Sequence, residues 1–146
     1  MSAYWDILTA ARTTLRNLEI VSAYPAKIRK RPYFDPAHDG APPALIMSPL
    51  GEQVQSYAFE NVAIIDYPVV VVFFQGQGAT LMSEAELQLQ LNVREAIRKA
   101  LSITNLTAAT MDVNYDAAPA FDLEGLDNLY DVSIQLFTYR TREDRK

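Results

Sequence analysis

The stretch Tyr67-Pro68-Val69-Val70-Val71-Val72-Phe73-Phe74, broken by Gln75-Gly76-Gln77-Gly78 and followed by Ser83-Glu84-Ala85-Glu86, decides the fold class. Valine and phenylalanine in such density favour a pleated, buried strand. Pro68 cannot donate a ladder hydrogen bond, so it is expected at an edge, a bulge or a strand start. Ser83 and Glu86 have the spacing of a capping box, in which the serine hydroxyl accepts from the third amide and the glutamate reaches back. A helix over 84–101 follows, with Leu89, Val93, Ala96, Ile97, Ala100 and Leu101 on one face. Arg94, Glu95, Arg98 and Lys99 fall mainly on the other.

Working toward the N-terminus, Val62 to Ile65 and Val54 to Phe59 read as further strands, and Leu45 to Met47 as a short one. Pro49-Leu50-Gly51-Glu52 reads as a turn. Residues 34–43 carry three prolines, Gly40 and no period, which marks a loop that orders on assembly. Ser2 caps a helix over about 3–18, with Tyr4, Leu8, Ala11, Leu15 and Leu18 spaced by fours and threes.

Working toward the C-terminus, Ala108 to Tyr115 reads as a strand, and Ala117 to Asn128 as an acidic connection with Pro119 and Gly125. Tyr130, Val132, Ile134 and Leu136 then alternate with polar residues, the period of a strand with one buried face. Phe137 and Tyr139 fall on the opposite face, where a partner is expected to cover them. The order helix, strands, helix, two strands indicates α+β: a mostly antiparallel sheet with two main helices packed on one face.

A chain of 146 residues fits one domain, here 1–146, able to bury about 70% of its unfolded surface without staples. There is no cysteine, which excludes thiol catalysis, disulfides and thiolate metal sites. The single histidine, His38, excludes a multi-histidine site within one chain. The longest apolar run, Val69 to Phe74, is far below the roughly 20 residues of a spanning helix. Met1 to Leu18 lacks the pattern of a signal peptide, so the expected setting is a cytoplasm or a particle assembled there.

Chemistry-bearing motifs are sparse. Gly76-Gln77-Gly78 lacks the third glycine of a dinucleotide fingerprint and the Gly-Lys-Ser/Thr of a P-loop, so a hinge is the simpler reading. Asp35, His38 and Asp39 are ordinary ligand types at an unspecific spacing. No Gly-x-Ser-x-Gly elbow is present. No metal or cofactor is expected.

The charge pattern says more. The formal net charge is −5, opposite to that of a protein that coats nucleic acid. Yet Lys27, Arg29, Lys30 and Arg31 cluster, and Arg140, Arg142, Arg145 and Lys146 close the chain. Asp112, Asp116, Asp122, Glu124 and Asp127 gather between two strands. Complementary patches on one surface suit head-to-tail contact between copies. The basic group, with Phe137, Tyr139, Arg140 and Arg142, is the expected partner surface, and the five acids are expected at a channel or an intersubunit contact.

The element order, the strand Asp66-Tyr67-Pro68-Val69-Val70-Val71-Val72, and the ending Asp131-Val132-Ser133-Ile134-Gln135-Leu136-Phe137-Thr138-Tyr139-Arg140-Thr141-Arg142-Glu143 together resemble the tail-terminator and tail-completion (neck) proteins of long-tailed bacteriophages. The resemblance implies a non-enzymatic virion protein forming a hexameric ring. Such a ring caps the tail tube protein, meets a neck or head-completion protein, and lets DNA pass without reading it. It implies assembly in the host cytoplasm, with no membrane and no cofactor. Head-tail stoppers share most of these features. The competing classes are a small α+β enzyme with a site between residues 34–43 and 117–128, and a binding module unrelated to viruses.

Overall fold

The computed structural model describes residues 2–31, 43–59, 62–76, 83–116 and 131–144. All of the expected loop at 34–43 except Pro43, the acids Asp122, Glu124 and Asp127, and the end Arg145-Lys146 lie outside the described residues.

Helix α1 spans Ala3–Arg16, with the Ser2 hydroxyl accepting from the Trp5 amide at 3.3 Å. It buries Ile7, Leu8, Ala11 and Leu15, and stops earlier than its apolar stripe because Leu18 turns extended. A short 3-10 turn, Glu19–Val21, leads to strand β1, Lys27–Ile28. The strands β2 (Ala44–Pro49), β3 (Gln53–Phe59) and β4 (Val62–Gly76) follow, then helix α2 (Glu84–Leu101) and strands β5 (Thr110–Asp116) and β6 (Asp131–Asp144). At α2 the Ser83 cap is formed: the Glu86 amide donates to Ser83 Oγ at 3.2 Å, and the Glu86 carboxylate reaches back to the Ser83 hydroxyl, which donates to Oε1 at 3.0 Å.

The six strands make one mixed sheet in the order β1-β2-β4-β6-β5, with β3 also paired to β4. Only β1 and β2 run parallel; the other described pairs are antiparallel. The fold is α+β, with both helices on one face of the sheet. Between them and the sheet lies the main core, where Leu45, Met47, Val69, Val71, Phe73, Phe137 and Tyr139 meet Ile7, Leu15, Val93, Ile97 and Leu101. The other face buries Ala44, Ile46, Val70, Val72 and Phe74. The Val69–Phe74 run is therefore covered on both sides, as an unbroken apolar strand requires.

Two expectations are corrected. The sequence separates Val62–Ile65 from Tyr67–Phe74, whereas β4 runs unbroken through Asp66 and Pro68. Asp66 is accommodated because it sits opposite Arg140 of β6 and ion-pairs with it. Pro68 lies inside a strand flanked on both sides, at the one place where the neighbour changes. β2 ends opposite Val69 and β3 begins opposite Asp66. The Pro68 carbonyl, on the side its nitrogen also faces, accepts from the Leu50 amide at 3.3 Å and from the Tyr4 hydroxyl. The missing N–H thus falls in the gap between two strands and breaks no ladder bond.

The second correction concerns β6. Phe137 and Tyr139 do not await a partner: both have no exposed surface and face the helices. Ser133, Gln135 and Thr141 share that inner face and are buried with them, while Val132, Ile134 and Leu136 are half-buried on the other face. Partners on α2 make the polar residues tolerable inside. Arg94 donates to Ser133 Oγ at 2.9 Å and to the Ile134 carbonyl at 2.7 Å. Gln135 donates back to the Arg94 carbonyl at 2.9 Å. Tyr139 donates its hydroxyl to the carbonyl of Leu101, the last residue of α2, at 2.6 Å. A buried helix end needs such a partner.

Candidate functional site

The sheet order places the two charged groups at opposite ends. β1 is terminal on one side and β5 on the other, with β2, β4 and β6 between them. Charges clustered in sequence are thereby separated into two edges.

At the β1 end, the Arg29 amide donates to the Met47 carbonyl at 2.8 Å, carrying the parallel pairing past Ile28. Lys27 and Arg29 are half-buried and both are engaged within the chain. Lys30 and Arg31 lie just beyond, where the backbone bends, and are exposed.

At the β5 end, Asp112, Asn114 and Asp116 alternate onto the sheet face away from the helices and are exposed, while Val113 and Tyr115 pack inward on the core. Asp112 and Asp66 stand opposite Arg140 on its two sides, so three charges lie abreast across β5, β6 and β4. Arg140 is committed to Asp66: Nε donates to Oδ1 at 2.8 Å and Nη2 to Oδ2 at 3.0 Å. Those hydrogen bonds, then Coulombic attraction to Asp66 and to Asp112, hold its guanidinium above the usual arginine range. A shallow groove runs over this row, lined by Asp66, Asp112, Asn114, Thr138 and Arg140. One carboxylate and one guanidinium satisfy each other there, and the charges of Asp112 and Asp116 remain toward solvent.

Of the expected contact residues, the structure thus leaves Lys30, Arg31 and Arg142 exposed, ties Arg140 to Asp66, and puts Phe137 and Tyr139 in the core. Of the five acids, Asp112 and Asp116 belong to β5 itself and share one face. Leu87 and Leu91, 37% and 46% exposed on α2, were not among the expected contact residues. Their spacing of four, off the Val93-Ile97 stripe, was the available signal. Leu91 borders a second groove with Arg94, Glu95, Arg98 and Tyr115.

Tyr4 is a second feature that the sequence hid. Its hydroxyl donates to the Pro68 carbonyl and accepts from the amides of Leu50 and Gly51 at 2.9 and 3.1 Å. It pins α1 to the turn that joins β2 and β3, where Gly51 takes a φ of +109°. Burial raises its pKa, and hydrogen bonds from Gly51 and Leu50 partly offset that. Among the described residues no group of three or more His, Cys, Asp or Glu side chains is placed to hold a metal. No described helix is long and apolar enough to cross a membrane.

Compared with solved structures, the chain is similar to the gp17 protein of bacteriophage SPP1, with a TM-score of 0.50 over 94% of this chain and 89% of that one. The two share a fold. The sequences are 14% identical, so the likeness is one of architecture. No protein-family model matches the chain. No curated protein matches it by sequence.

Proposed function

We propose that the chain is a structural, non-enzymatic protein of a long-tailed bacteriophage particle, working where the tail meets the head. In this reading copies close into a hexameric ring that caps the finished tail tube and offers its other side to a neck protein. DNA passes through the ring without being read. The observation that carries the reading is the fold shared with a bacteriophage protein along nearly the whole of both chains. The charged sheet ends and the shallow grooves add support, because they suit contact between proteins better than enclosure of a small substrate.

The test is native mass spectrometry and negative-stain microscopy of the purified chain, alone and mixed with a tail-tube protein and a neck protein from the same particle. Closed rings bound to tube ends are expected. Rings that bind the head-side neck protein and ignore tubes would move the assignment to a head-tail stopper. A chain that stays monomeric, binds none of these proteins and turns over a small molecule would refute the reading.

A further inference from the structure

We infer that neighbouring copies join head to tail through the two opposite ends of the sheet, the basic end of one copy against the acidic end of the next. The inference rests on the ring-forming reading above and names the surface that forms the ring. Three observations lead to it.

First, β1 and β5 end the described strand path β1-β2-β4-β6-β5, from which β3 branches at β4. A terminal strand offers unpaired backbone groups to another chain. Second, the ends carry opposite charge: exposed Lys30 and Arg31 beside β1, exposed Asp112 and Asp116 on β5. Among the described residues the cation opposite Asp112 is Arg140, which donates through two nitrogens to Asp66, and the side chains of Asp112 and Asp116 stay exposed. Third, the pairing rules of these ends are asymmetric. Two β1 ends repel, two β5 ends repel, and only unlike ends attract, which disfavours a two-fold dimer and favours a heterologous contact. A heterologous contact repeats from copy to copy, and it closes into a ring when the rotation between neighbours divides a full turn.

The inner β5 pattern fits this role. Val113 and Tyr115 anchor the strand to the core while Asp112, Asn114 and Asp116 stand outward, so the edge is held rigid with its carboxylates presented. Exposed Met111, beside the register shift at the start of β5, adds apolar area next to the acids. Contact between exposed charges is screened over a Debye length of about 8 Å at physiological salt, so assembly should weaken as salt is raised.

Charge exchange tests the inference. One variant carries D112K and D116K, a second carries K30E and R31E, and a third carries all four changes. Sedimentation velocity at matched concentration reads the assembly, and thermal melting confirms that each variant folds. The first two variants are expected to lose at least about tenfold in assembly constant, the equivalent of about 1.4 kcal/mol. The fourfold variant is expected to recover it, because the unlike ends are merely reversed. An equal mixture of the first two should also assemble, with copies alternating around the ring. Wild-type rings that are unaffected by either pair of changes would overturn the edge-to-edge contact and leave the ring reading standing. Folded variants that lose assembly and are not rescued by reversal or mixing would overturn it as well. A wild-type chain that never assembles would overturn both.

Discussion

Tyr139→Phe isolates the bond that closes the second helix. The ring of Tyr139 is fully buried, and its hydroxyl donates to the Leu101 carbonyl at 2.6 Å. Phenylalanine keeps the packing and removes the donor. The net loss of a hydrogen bond is about 1 kcal/mol, and leaving a buried carbonyl unpaired costs about 1–3 kcal/mol. A loss near 2 kcal/mol is expected. At about 2.1 cal/mol/K per residue, 146 residues give an unfolding entropy of ~0.3 kcal/mol/K, so the melting temperature falls by about 7 °C.

The same hydroxyl carries a pH signature. Burial raises the Tyr139 pKa far above its usual value, and burial, then the hydrogen bond to Glu143, raises that of Tyr67. A group whose folded pKa is raised contributes stability that is fully present below the unfolded pKa, about 10, and lost as pH climbs toward the folded value. Wild type should therefore lose stability above about pH 10, and Tyr139→Phe should lose it less steeply, since one of the three phenols with a raised pKa (Tyr4, Tyr67 and Tyr139) is gone. Urea unfolding followed by circular dichroism, at neutral pH and through the alkaline range, measures both effects. A variant as stable as wild type within about 0.5 kcal/mol would refute the assignment of this bond as the helix-closing partner.

Three other substitutions probe the frame. Tyr4→Phe deprives two turn amides and the Pro68 carbonyl of one shared partner, so a loss of about 1–2 kcal/mol is expected, with faster amide exchange at Leu50 and Gly51. Gln90 is fully buried, and neither of its amide atoms has a hydrogen-bond partner among the described residues. Gln90→Leu should raise stability by about 1–2 kcal/mol in chemical denaturation, and a fall would mean that the amide is satisfied in the assembled protein. Ser83→Ala removes the cap of the second helix and should cost about 1 kcal/mol, read as a lower denaturation midpoint.

Legibility in the sequence followed how local each cause is. Both helix caps, the helix faces and the strand buried on two sides were readable, because a hydroxyl three residues from an amide or a run of valines acts over short distances along the chain. Leu87 and Leu91 were readable in principle as a pair outside the main stripe, though their exposure depended on where the sheet lies. The Tyr4 hydroxyl was not readable, since its three partners lie more than 40 residues away.

The amino-acid order alone determined the class: α+β, two amphipathic helices, strands that mostly pair antiparallel, no thiol chemistry, and opposite charges held in separate segments. Tertiary structure decided which face of β6 turns inward, how β4 passes unbroken through Asp66 and Pro68, and that the charged segments occupy opposite ends of one sheet. The reason is that period-two alternation marks two faces without naming the inner one. Here Arg94, Gln135 and the end of α2 satisfy polar groups inside the core, and such partners are assigned only when distant elements meet.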